Sequence, residues 1–204
     1  MTSDARVDSP LVFGFLTVVE QPSQGLVGGY LLLNAQARPL EFHCTAPVRA
    51  SRTQEILYGP TLEPFLYGEQ IGRTLFQACQ QQPTAIFTDR PSALAAAEHV
   101  SAPVWLVLND DVAPNANSQA SVATRGSAAI AALAPAANYR ADTAHKGVAG
   151  MHALHCGAYR LACRAEDAAR GVEDRIEAAV ATFDLEEPFE RIRAAIDESQ
   201  RGAR

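Results

Sequence analysis

Two short apolar runs, separated by a four-residue polar turn, constrain this chain more than any other feature. They are GGYLLLN at 28–34 and PLEFHCT at 39–45, with AQAR at 35–38 between them. Runs of this length, bounded by turn residues, read as strands, so the stretch Leu26 to Tyr58 predicts a hairpin that exits into a helical turn. Pro39 opens the second strand, because proline lacks the donor that a strand interior needs. Alternation then places Leu40, Phe42 and Cys44 on one face and Glu41, His43 and Thr45 on the other. The apolar row is expected to meet the core. The polar row is expected on a solvated face, or else to carry His43, oriented by a neighbouring acid, into a cleft.

The hairpin needs neighbours, and the sequence offers them on both sides. LVFGFLTVVE at 11–20 is apolar at nearly every position, which predicts a strand buried on both faces. The polar residues 1–10 are expected to form a flexible leader. Gly59-Pro60 breaks the chain after the hairpin. Thr61 then predicts an N-cap, with Glu63 and Pro64 in the first turn of a helix running to about Gln82. Its stripe is Phe65, Ile71, Leu75, Phe76 and Cys79, and Gly68 and Gly72 share a face expected to pack closely on the sheet.

TAIFTD at 84–89 and PVWLVL at 103–108 are further strands, joined by a helix that Pro91 opens and Asp89 caps. Strand, helix, strand predicts a parallel crossover, with an antiparallel arrangement as the alternative. Residues 112–146 are rich in Ala, Ser, Asn, Gly and Pro, and predict a mobile loop or insertion. Residues 151–166 predict a second hairpin or a kinked strand with Gly157 at the turn. A helix from 166 to about 183 follows, and Asp184 caps a last one with Phe189, Ile192 and Ile196 as its stripe.

These elements predict one α/β domain of α+β type over 11–204. Its mixed, partly antiparallel sheet has five to six strands, and the helices at 61–82, 91–99 and 166–199 lie mainly on one face. The length, 204 residues with 48% hydrophobic, suits a single sizeable core. The net charge of -6 and a single lysine, Lys146, argue against nucleic acid, which needs clustered cations. No run approaches the ~18 apolar residues of a membrane span. The first ten residues lack the charged-then-apolar layout of a signal peptide, and four cysteines are too few for a disulfide scaffold. Together these predict a cytoplasmic protein.

The stretch GGYLLLNAQARPLEFHCTAPVRASRTQEILYGPTLEPFLYGEQIGRTLF and the ending FDLEEPFERIRAAIDE resemble an uncharacterised bacterial family of hypothetical proteins. The resemblance covers about half of the chain and implies no activity, cofactor or site residue.

Four groups of residues have the chemistry to form a site. His43, Cys44, His152, His155, Cys156 and Cys163 are zinc-type ligands, and would meet if the two hairpins were neighbours. Asp89, Asp110 and Asp111 follow two strands. If those strands are parallel and adjacent, the acids share one sheet edge, where they could hold Mg²⁺ for hydrolysis or phosphoryl transfer, with His43 assisting. A nucleophilic pairing of His43 with Cys156 or Cys163 likewise requires the hairpins to touch. Tyr58, Phe65 and Tyr67, with Pro60 and Pro64, make an aromatic elbow suited to a protein interface or to internal packing. No nucleophile elbow, dinucleotide fingerprint or phosphate-binding loop is present. The leading expectation is therefore a non-enzymatic module that binds a protein partner or another copy of itself. The alternatives are a metal-dependent hydrolase or phosphotransferase and a structural zinc protein.

Overall fold

A computed structural model describes residues 11–22, 24–108, 151–164, 171–181 and 184–202. The leader at 1–10, the segment 112–146 and the pair Asp110–Asp111 lie outside the described residues.

Seven strands form one mixed sheet. β1 (Val12–Gln21), β2 (Gly25–Asn34) and β3 (Pro39–Cys44) are an antiparallel meander. The β2–β3 turn is closed by Asn34, whose amide donates to Arg38 O and whose side-chain oxygen accepts the Gln36 and Arg38 amides. β4 (Ala85–Thr88) lies parallel to β1, and β5 (Val104–Leu108) parallel to β4. The predicted parallel crossover is therefore present, although its connection, Pro91–His99, is a 3₁₀ segment rather than an α-helix. β6 (Met151–Cys156) and β7 (Tyr159–Arg164) form the second hairpin, with β7 antiparallel to β5. Gly157, at φ 61°, occupies its two-residue turn, where a side chain would be strained. That turn makes two strands where one kinked strand was the alternative, and brings the count to seven. The spatial order is β3-β2-β1-β4-β5-β7-β6.

The helices cover both faces, which corrects the expectation of one. One face buries Phe13, Phe15, Leu33, Phe87, Trp105 and Leu161 beneath α4 (Glu173–Val180) and α5 (Glu187–Gly202). The other buries Val12, Leu16, Leu32, Ile86 and Val104 beneath the helical stretch after β3 and the 3₁₀ segment. A strand as apolar as β1 leaves no alternative. Its odd and even positions both carry large side chains, and each face needs cover.

The stretch after β3 is not one regular helix. α1 (Arg52–Tyr58) is closed by a capping box between Ser51 and Gln54. The predicted helix at 61–82 is α2 (Leu62–Pro64), a π-helical segment Phe65–Gly72, and α3 (Arg73–Ala78). Thr61 does not cap it; the hydroxyl donates back to Tyr58 O at 2.9 Å. Gly68 and Gly72 do pack closely, but against the 3₁₀ segment: a Cβ at either would come within 2.7 Å of Ala95 or Ala96. The sheet itself is met at Gly28 and Gly29. Adjacent strand residues face opposite sides, and Ile71 seats on Gly28 from one face while Ile192 seats on Gly29 from the other.

α5 begins after Asp184, as its predicted cap requires. Asp184 Oδ1 accepts the Glu186 amide at 2.8 Å and the Tyr159 hydroxyl. The hydrogen bond from Tyr159, and then that from Glu186, holds the Asp184 carboxyl below its ordinary 3.8. Folding thus favours the ionised form. The contribution is present above that ordinary value and is lost as pH falls through the lower folded one. Burial, and then the same bond, pushes the Tyr159 phenol from 10.0 up to about 12, so its contribution is lost as pH rises through that range. Asp184→Asn is expected to lower the melting temperature at neutral pH. Melting curves against pH should show the gap from wild type closing as pH falls below the ordinary carboxyl value of 3.8 and through the lower folded one. A gap that persists unchanged in acid would separate Asp184 from this effect.

Candidate functional site

The edge strand β3 and the end of α3 form the most chemically varied corner of the fold. Tyr30 pairs with His43 and Leu32 with Glu41, so both polar side chains stand on the face that α3 covers. Glu41 Oε2 accepts the Gln80 amide at 3.0 Å, and Oε1 accepts the Gln81 amide at 2.9 Å. Those amides are free because α3 ends at Ala78 and Cys79 turns extended, at φ -78° and ψ 144°. His43 Nε2 lies 3.1 Å from Glu41 Oε2. The Gln80 amide is the main reason that the Glu41 carboxyl sits below its ordinary range, and the His43 hydrogen bond adds to it. Cys79 completes the corner. Burial, and then the Glu41 charge, pushes its thiol from 9.0 up to about 12, so Cys79 is a protonated thiol rather than a nucleophile.

The two rows of β3 exchange the roles expected from alternation. Glu41 and His43 are half-buried, while Leu40 and Phe42 are 39% and 38% exposed and Cys44 is exposed. The cause is helix placement. α5 rests on β1 and β2, with Ile192 and Ile196 over Gly29, and stops short of β3 on that face. On the other face α3 reaches β3.

Backbone direction adds a second property to the edge. The Thr45 amide donates to Gly28 O. By the antiparallel alternation, Glu41 and His43 likewise turn their N–H and C=O groups toward β2. Phe42 and Cys44 turn theirs outward, and among the described residues no strand pairs with them; the register shift opposite Leu32 and Leu33 makes Leu40 the extra residue of a bulge.

A scan against known protein families finds no match for this chain, and neither does a search of curated proteins.

The other sequence candidates are dispersed. β3 and β6 are opposite edges of the sheet, six strand spacings or about 29 Å apart. His43 and Cys44 therefore do not meet His152, His155, Cys156 or Cys163, and neither the zinc set nor the His43–cysteine pairing assembles. His152 Nε2 lies 2.9 Å from Glu173 Oε1, and its ring packs edge-on to Trp105 at 6.0 Å. His155 is exposed on β6. Cys156 and Cys163 are buried, and burial pushes the Cys156 thiol up.

Asp89 follows β4, and β4 is parallel and adjacent to β5 as the carboxylate arrangement requires. Yet Asp89 does not cap the 3₁₀ segment, whose N-cap is Arg90. It pairs with Arg193 of α5 and lies 3.9 Å from Arg90 Nε, tying the last helix to the sheet.

In the aromatic elbow, Tyr58 and Phe65 stack on each other at 4.3 Å. Tyr67 is buried, which pushes its hydroxyl up to about 12. The exposed apolar residues of that region are instead Ile56 and Leu57, 68% and 76% exposed on α1, a helix with no buried residue.

Sequence reasoning found Glu41 and His43 as a same-face pair but took Cys79 for a core residue. No local spacing links positions 43 and 79; only the return of the chain over the sheet brings them together. Among the described residues, no helix is long and apolar enough to cross a membrane.

Proposed function

We propose that this chain is a self-associating protein-binding module, whose partner is a second copy joined through antiparallel pairing of the two β3 strands. The observation that carries this is the outer side of β3. It presents unpaired backbone groups at Phe42 and Cys44, and the Leu40 and Phe42 side chains are exposed beside them. An uncovered edge of this kind is a template for strand addition.

The strand is complementary to itself. A two-fold axis through Phe42 sets Phe42 against the partner copy's Phe42, and Leu40 against its Cys44, with the outward groups of the two Phe42 residues forming a hydrogen-bonded pair. The same register sets Glu41 opposite the copy's His43 and His43 opposite its Glu41. Each carboxylate then faces an imidazole, and like charges never stand opposed. The stretch that can pair ends at the bulge, since Pro39 beyond it stands opposite Leu33 with its missing N–H on the outer side. Neither side of the pairing needs a catalytic group, which agrees with the lack of any catalytic motif in the sequence.

Light scattering on the purified chain over the micromolar range is expected to give twice the chain mass. Phe42→Lys places a charge at the centre of the pairing and is expected to give a monomer with an unchanged circular dichroism spectrum. Wild-type protein that stays monomeric throughout the range, or a variant that dimerises equally well, would overturn the proposal.

A further inference from the structure

We propose that Glu41, His43 and Cys79 bind one divalent d-block ion, zinc or an ion of similar ligand preference, between the edge strand and the end of α3. One ligand atom from each residue lies within 4.8 Å of the other two. Tetrahedral zinc holds its donors roughly 3.5 Å apart, so modest side-chain rotations bring all three into range. The donors are one oxygen, one nitrogen and one sulfur. That mixture suits a borderline-soft ion and disfavours Mg²⁺ and Ca²⁺, which take oxygen.

The chain holds these donors in advance. Strand alternation puts Glu41 and His43 on one face. The Glu41 carboxylate bonds to the amides of Gln80 and Gln81, the two residues directly after Cys79, so one carboxylate ties both halves of the site together. Each carboxylate oxygen spends one lone pair on an amide and keeps another. His43 Nε2 and Glu41 Oε2, 3.1 Å apart, share a proton between them. An ion takes that proton's place and is held from both sides.

Tyr30 stands opposite His43 in the β2–β3 pairing. Its hydroxyl is buried without a hydrogen-bond partner among the described residues. Tyr30 and Cys79 line one cavity of about 150 Å³, and burial is the main reason that the tyrosine pKa is raised.

The protonated thiol is no obstacle. A bound dication reverses the local electrostatics, and the thiolate forms as its proton is released to solvent. Leu40, Phe42, Gln80 and Gln81 border an open hollow over Glu41 and His43, which gives the ion an entry path and leaves a fourth ligand position for water.

The test is a Co²⁺ titration of the metal-stripped full chain, followed in the near ultraviolet and visible. One equivalent should give tetrahedral cobalt bands and a thiolate-to-cobalt charge-transfer band, and Zn²⁺ should displace both. Cys79→Ser should abolish the charge-transfer band. His43→Ala should weaken zinc at least tenfold in competition with a coloured chelator. Cys44→Ser, which removes the exposed neighbouring thiol, should change neither. Should Cys79→Ser fail to fold, Glu41→Gln and His43→Gln, read by the same zinc competition, replace it. The proposal is overturned by a missing band at one equivalent, by a band that survives Cys79→Ser or disappears with Cys44→Ser, or by unaltered zinc affinity in both the Glu41 and His43 variants.

Discussion

Trp105→Ala is expected to destabilise the fold by about 4 kcal/mol, since truncating a buried large aromatic typically costs 3–5 kcal/mol. Trp105 is fully buried on β5 and stands beside Phe87 of β4 in register. It belongs to the core that α4 and α5 close. Alanine leaves a cavity that strands on both sides hold open. One term works the other way: the indole Nε1 is buried without a partner among the described residues. Alanine removes that unpaired donor as well, which returns about 1 kcal/mol. Trp105→Phe separates the two terms. It keeps most of the ring volume and deletes the orphaned N–H, so its cost should be well under half that of alanine. Urea unfolding checks both variants, with midpoints moving at constant slope. Equal losses for Phe and Ala would assign the effect to the indole N–H rather than to packing.

Gly28→Val is expected to cost about 3 kcal/mol, the upper end of what overpacking a core does. A Cβ at Gly28 would stand 2.0 Å from Ile71 Cγ2 and 3.1 Å from Leu75 Cδ1. Valine has the higher strand propensity, so a position governed by propensity alone would gain from the change. Contact with Ile71 decides the sign. The conflict is pairwise, and the double variant Gly28→Ala, Ile71→Ala should therefore be more stable than the sum of its single changes predicts. Additivity in that cycle would mean that Ile71 does not seat on Gly28.

Much of this fold is legible in the sequence, for a physical reason. Strand length, turn residues and apolar runs are local properties. They place β1 to β5 and the β6–β7 hairpin within a few residues, and Pro39, Gly157 and Asp184 do what their backbone chemistry predicts. Helix placement is not local. The apolar run of β1 implies cover on both faces, yet nothing in the helix sequences says which face each one takes. The one-sided arrangement fails at that point, and the two rows of β3 are inverted for the same reason. Alternation sorts Leu40 and Phe42 from Glu41 and His43, but only the placement of α3 against β3 and of α5 over β1 and β2 decides which row is covered. The candidate site divides likewise. Its strand half follows from alternation, while Cys79 joins it through a chain reversal that no spacing records. Asp89 shows the converse, a residue in a suggestive position that turns out to be tied to Arg193, 104 residues away.

The pairing of β3 with itself is tested most directly by disulfide trapping. The variant Phe42→Cys, Cys44→Ser puts one thiol on the proposed two-fold axis, where opposed Cα atoms stand about 5.5 Å apart, within the range a disulfide spans. Leu40→Cys, Cys44→Ser puts it four residues from its own copy, about 14 Å along the strand. Mild oxidation should convert the Phe42→Cys protein to a covalent dimer and leave the Leu40→Cys protein mostly uncrosslinked. Equal crosslinking of both variants, or none in the first, would contradict the register and the dimer built on it.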